Sequence, residues 1–226
     1  MARAVLVGVA HHLTQRGLDH RQIFFSDNDF EVYLDLVRTN AKRFEIDLLG
    51  YCLMPNHVHW VVLPRREDAM ARAFGAAHGR YAAYANTKLR RSGHFWQNRF
   101  FSCSLDEAHL WAALRYVERN PARARIVDQA CEFQWSSAAV HVGNVPRPDW
   151  LAAEPMASRF TPQEWDISLR SGSILEAEIE LRQNTYTGRP AGSPEFVEWA
   201  ERRLGRRLAA QSGGRRPRLA EAAVAR

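Results

Sequence analysis

The sequence predicts an α+β fold: an antiparallel sheet with helices packed on it, followed by a small helical C-terminal extension. Three observations lead there. Short β-rich runs alternate with longer stretches of helical periodicity in the order β-α-β-β-α-β-α. The runs 45–54 and 57–63 are split only by Pro55-Asn56, the spacing of a tight antiparallel connection. With 46% hydrophobic residues in 226, the chain can bury one domain and a smaller appendage.

Residues 4–15 alternate and are rich in valine, which predicts a first strand ending at the basic turn Arg16-Gly17. A helix follows over 28–43, with Phe30, Tyr33, Leu34 and Val37 on one face. After the two strands joined at Pro55-Asn56, a second helix spans 67–90, with Met70, Phe74, Ala77, Tyr81 and Tyr84 along a stripe. Gly93 ends it, and Phe95 to Cys103 reads as an aromatic strand. Ser104 with Glu107 fits a capping box at the start of a third helix, which buries Leu110, Ala113, Leu114 and Val117. Pro121 is expected to stop that helix, because the residue before a proline is pushed out of the α region. Gly, Pro, Asn and Arg accumulate near 143–160 and suggest a boundary. The expected organisation is a main domain over 1–150, a helical extension over 151–205 and a basic, disordered tail over 206–226. Within the extension, helices are expected at 162–184 and 194–204, the latter opened by Ser193-Pro194 as N-cap and first-turn proline.

Composition excludes several classes. No apolar run approaches the ~20 residues that cross a bilayer, and Ala4 to Ala10 is too short for a signal-peptide core. Cys52, Cys103 and Cys131 are an odd, widely spaced set that fits neither a disulfide framework nor structural zinc, so a cytoplasmic setting is expected. The net charge is +6, carried almost wholly by arginine, since Lys42 and Lys88 are the only lysines. Arginine forks onto phosphates and stacks on flat rings, which suits a nucleic-acid partner, although such a composition also follows from a GC-rich genome.

Two local patterns carry chemistry. In MPNHVHW, residues 54–60, His57 and His59 stand two apart on a strand, so both imidazoles point to one side of the sheet and can share a divalent metal. Val61 and Leu63 continue that face into the core. On the third helix, LRYVERNP places Tyr116 and Asn120 one turn apart, at the margin of the buried stripe. The tyrosine can attack a phosphodiester, and the asparagine can lend a carbonyl oxygen to a metal. Each pattern has a plain structural reading: strand histidines, a core-margin tyrosine and a helix-ending asparagine. In the proposed fold, strand and helix are adjacent layers, so the four residues can converge. Two imidazoles and an amide oxygen tolerate Mg²⁺ or Mn²⁺, although the imidazoles alone also suit zinc or nickel. Residues 54–64 and 116–127, with HLTQRG (12–17), GHFWQNRFFS (93–102), FQWSS (133–137) and TGRPAGSPEFVE (187–198), make the sequence resemble the REP-associated tyrosine transposases, of the single-tyrosine HUH nuclease class.

That resemblance implies an RRM-like, ferredoxin-like sheet, with His57 and His59 as metal ligands, Asn120 as the third ligand and Tyr116 as nucleophile. It implies cleavage and rejoining of single-stranded DNA through a 5′-phosphotyrosine, with Mg or Mn as cofactor and hairpin-forming palindromic repeats as substrate. A monomer or homodimer with no membrane association is expected. Arg16, Arg90, Arg91, Trp96, Arg99, Arg115, Arg119, Arg123 and Arg189 are the candidate DNA contacts, because arginines beside aromatic rings can hold phosphates and stack unpaired bases. His109 is a candidate general base. Tyr81 and Tyr84 are rival nucleophiles, but both lie in an apolar stripe and read as core. A non-catalytic hairpin-DNA-binding protein of the same fold and a metal hydrolase acting through His57 and His59 are the alternatives.

Overall fold

The computed structural model describes residues 4–172 and 175–209. Its centre is a sheet of β1 (His11–Arg16), β2 (Ile46–Met54), β3 (His57–Pro64) and β4 (Phe101–Ser104), in the order β2-β3-β1-β4 with every neighbouring pair antiparallel. β2 and β3 turn directly through Pro55-Asn56, as their sequence predicts. Helices α1 (Asp27–Arg43) and α2 (Ala69–Lys88) cover one face, over a core that includes Leu13, Val58, Trp60, Val62, Tyr33, Phe74 and Tyr81. The capping box of α1 pairs Ser26 with Asp29, and its last turn carries Lys42 and Arg43, which complement the helix dipole.

Helix α3 (Glu107–Glu118) lies on the opposite face, over Leu49, Cys52, Val61 and Cys103. Its approach is set by Gly50: a Cβ there would stand 2.5 Å from Leu114 Cδ2. An irregularity between Leu48 and Gly50 shifts the alternation, so that Leu48 and Tyr51, three residues apart, both face the α1/α2 core. Glu118, wholly buried, fastens α3 to the layer beyond. It accepts from the Ser137 hydroxyl at 2.5 Å, from His141 Nδ1 at 2.6 Å and from Trp165 Nε1 at 2.8 Å.

Several sequence expectations shift. The first strand begins at His11, because Gly8 (φ +76°) turns the chain and sends Ala4 and Leu6 against Ala200 and Leu208 instead. The aromatic strand shrinks to Phe101–Ser104, since Phe95 and Phe100 sink into the α1/α2 core and Trp96 makes one isolated bridge with Gly17. Ser104 is not the cap of α3. Its backbone is spent pairing with His11 and Ala191, and Asp106 caps the helix by accepting from the His109 N–H at 2.8 Å. Nor does Pro121 end the helical path. The chain breaks at Arg119 and resumes as one turn, α4 (Asn120–Arg123), with the proline in its first turn, where the missing N–H costs nothing.

Beyond this, α5 (Ala138–His141), α6 (Met156–Arg159), α7 (Pro162–Arg170), α8 (Leu175–Thr187) and α9 (Pro194–Leu204) complete the described chain. The expected helix over 162–184 is interrupted at Ser171-Gly172, whereas Ser193-Pro194 opens α9 as read. Across the expected boundary, Leu151 is buried in the main core and bridges Leu48, and α8 packs on β4 and α3. Of the expected tail, residues 206–209 fold back, with Leu208 buried and the N–H groups of Leu208 and Ala209 on Glu201; residues 210–226 lie outside the described part. No described helix is long and apolar enough to cross a membrane.

Candidate active site

Five elements meet at a cleft of about 150 Å³ on the α3 face of the sheet. β1 contributes His12 and Arg16, β3 His57 and His59, α3 Tyr116, α4 Asn120 and Arg123, and α8 Arg182, Thr185 and Tyr186. Strand alternation turns His57, His59, Val61 and Leu63 to this face, opposite Val58, Trp60 and Val62. The His59 and Tyr116 rings meet edge-on at 5.5 Å between centroids.

The two imidazoles are neutral. Burial, reinforced by Arg16 and Arg123, pushes the His57 pKa down to about 3, and burial with His57 and His12 nearby holds His59 well below the usual range. His57 Nδ1 donates to Asn56 Oδ1 at 2.6 Å, the carboxamide being oriented by its own N–H on the His20 carbonyl, so Nε2 of His57 keeps its lone pair. His59 Nδ1 pairs with His12 Nε2 at 2.9 Å, which leaves Nε2 outside that bond. Among the described residues no three His, Cys, Asp or Glu side chains gather as a metal cluster, so a metal here would rest on two imidazoles and an amide. Asn120 fits that role. Its Oδ1 accepts from Arg123 at 2.9 Å with one lone pair, and the oxygen has a second.

Positive charge surrounds the tyrosine. The Arg123 guanidinium stands 4.4 Å from the Tyr116 ring centroid and donates to Glu178 at 2.8 Å. Burial opposes the Arg123 charge, but hydrogen bonds to Tyr116 and Glu178 outweigh it and raise its pKa. Two buried donors at the cleft, Arg16 Nε and Asn120 Nδ2, have no partner among the described residues, and a phosphate oxygen would satisfy either.

The cleft shares Thr185 and Tyr186 with a larger groove lined by Arg99, Arg189, Arg206 and Arg207. Tyr186, 46% exposed and edge-on to Phe101, is an aromatic platform where cleft and groove meet. Other candidates do not line the cleft. Trp96 lies on the opposite face, its ring among Tyr33, His78 and Tyr81 and its N–H on the His78 carbonyl. Arg115 ties α3 to the end of α7 through the carbonyls of Ser168, Ser171 and Gly172. Arg90 and Arg91 follow α2 away from the cleft, with Arg91 over the Phe95 ring. Arg119 is half-buried at the break between α3 and α4 and does not line the cleft. His109 does not line the cleft either; its ring is held by Asp106 at the start of α3, near Glu180. Tyr81 donates to the Ile23 carbonyl and Tyr84 to Asp29, so both serve the α1/α2 layer.

Sequence reasoning missed His12, Arg182, Thr185 and Tyr186. His12 stands in an apolar-looking strand beside His11, and the other three lie in a helix whose polar residues show no clear periodicity. Among known proteins, the family model of IS200-like transposases matches residues 8–120. The chain is similar to the structure of a REP-associated tyrosine transposase bound to a REP hairpin, with a TM-score of 0.56 and 15% identity over 68% of this chain and 91% of that one. A protein from Deinococcus radiodurans R1, described as a transposase, aligns at a TM-score of 0.37 and 16% identity over 56% of this chain and 91% of that one. Among curated proteins, no match is found.

Proposed function

Because the chain belongs to the IS200-like transposase family, we propose that it cuts and rejoins single-stranded, hairpin-forming DNA through Tyr116. The observation that carries this reading is the convergence of Tyr116, two neutral imidazoles and Asn120 in one arginine-lined cleft. A divalent ion, Mg or Mn, held by His57, His59 and Asn120, would polarise the scissile phosphate and offset its charge. The Tyr116 oxygen attacks phosphorus as its proton leaves to water; the bond to the 3′ oxygen breaks, and that oxygen takes a proton from solvent. The 5′-phosphate remains on the tyrosine. Rejoining is the reverse attack by a 3′-hydroxyl, and it needs no nucleotide, because the phosphodiester is conserved as a phosphotyrosine ester. Arg123 places positive charge beside the oxygen that gains charge whenever tyrosine leaves. Arg16 and Arg182 hold phosphate at the cleft. Tyr186 stacks an unpaired base, with Arg99 and Arg189 tracking the strand along the adjoining groove. The cellular setting is the cytoplasm, where the protein acts as a monomer or homodimer.

The test is a covalent adduct. Incubation with Mn²⁺ and a labelled single-stranded hairpin is expected to give a denaturation-resistant protein–DNA product that carries label placed 3′ of the cut. Tyr116→Phe keeps the ring and removes the oxygen, so no adduct forms although the hairpin still binds. A hairpin binder without catalysis gives no adduct from the native protein either. An adduct that persists in Tyr116→Phe overturns the mechanism.

A further inference from the structure

The bond between His12 and His59 has a direction, and α8 sets it. The Thr185 hydroxyl donates to the Leu181 carbonyl at 2.6 Å, and a carbonyl can only accept. Its single proton is spent there, so the 2.8 Å contact with His12 Nδ1 is a donation from His12 to Thr185. The Cys103 thiol, 3.3 Å from the same oxygen, can fill its other lone pair. A neutral His12 that carries its proton on Nδ1 presents a bare Nε2, so at 2.9 Å His59 must donate from Nδ1. All three side chains are buried, which strengthens these bonds.

We propose that Thr185 is a positioning residue, which locks His12 and, through it, His59 in the tautomers that leave His59 Nε2 free to bind the metal. A ligating imidazole is oriented by the partner of its other nitrogen. Here the partner is a second histidine, and the group fixing that histidine comes from a helix beyond the segment matched by the family model. The inference rests on the metal-binding role proposed for His57, His59 and Asn120.

Long-range ¹H–¹⁵N spectra of the metal-free protein report the tautomer of each ring. His59 and His12 are expected as Nδ1–H forms in the native chain. Thr185→Val keeps the shape and removes the acceptor, so His12 shifts toward its Nε2–H form and forces His59 to carry its proton on Nε2. Calorimetric Mn²⁺ affinity should then fall by about tenfold or more. Thr185→Ser should restore both tautomers and bring affinity within about twofold of native. An Nε2–H tautomer for His59 in the native protein overturns the proposal without any variant, as does a Thr185→Val protein with unchanged tautomers. Native protein that binds no Mn²⁺ while the tautomers behave as expected sinks the metal assignment but leaves the hydrogen-bond relay standing.

Discussion

Arg123 joins the tyrosine, the asparagine and the last helix of the cleft. It spans the Tyr116 ring, the Asn120 carboxamide oxygen and Glu178 of α8, so it can sense the nucleophile and the amide together. Losing one preorganised donor at a charge-developing oxygen typically costs 10²–10³-fold in rate. Arg123→Ala is therefore expected to slow adduct formation about 100-fold at saturating hairpin, with hairpin affinity changed only a few-fold. Arg123→Lys should recover part of the rate, since it restores charge without the planar fork. Equal losses in rate and affinity would reduce Arg123 to a simple phosphate contact. Residues of this kind are only partly legible in sequence. His57 and His59 are marked by their spacing on one strand, and Tyr116 and Asn120 by standing four apart across the break between α3 and α4. His12 and Thr185 are 173 positions apart and meet only through the fold, so no local period marks them.

At the scale of elements, the position of α3 decides whether the tyrosine reaches the imidazoles. Gly50 lets that helix approach, and an added methyl would press on Leu114. Gly50→Ala is expected to cost about 1–3 kcal/mol of stability, as small overpacking does. It should cost more in adduct rate, about 10–100-fold, because displacing a nucleophile by a fraction of an ångström is expensive. Unchanged turnover with lowered stability would mean that Leu114 absorbs the strain alone. Glu118→Ala tests the other side of α3. It strands the donors of Ser137, His141 and Trp165 in the interior, and about 3 kcal/mol or more should be lost in urea unfolding. The strand–helix order and the Pro55-Asn56 turn were legible because each is local. The length of β4 was not, because the aromatic residues before it look like strand but spend their rings on the opposite core. The cap of α3 escaped notice because Ser104 and Asp106 both suit the role, and only the pairing of Ser104 with its neighbours in the sheet excludes it.

For the whole molecule, buried histidines set the response to acid. Burial lowers the pKa of His11 to about 4 and of His12 and His57 to about 3, and holds His59 well below 6.5. The unfolded chain therefore binds more protons than the folded one between about pH 4 and 6.5. Stability from these groups is complete above pH 6.5 and falls as pH drops toward the folded values, by about 1.4 kcal/mol per pH unit for each ring. In chelator, the melting temperature should fall by roughly 10 °C or more between pH 7 and pH 5. A constant or rising value would contradict the burial of these rings. The wide spread of the cleft along the chain has a further consequence, one of timing. A ribosome that has delivered everything through Arg123 has already made the tyrosine, both strand imidazoles and the amide. It has yet to make Glu178 and Thr185. On the proposed reading, a nascent chain at that stage carries Tyr116 without the α8 residues that complete the cleft, so it is expected to leave uncut any strand of DNA it meets during translation.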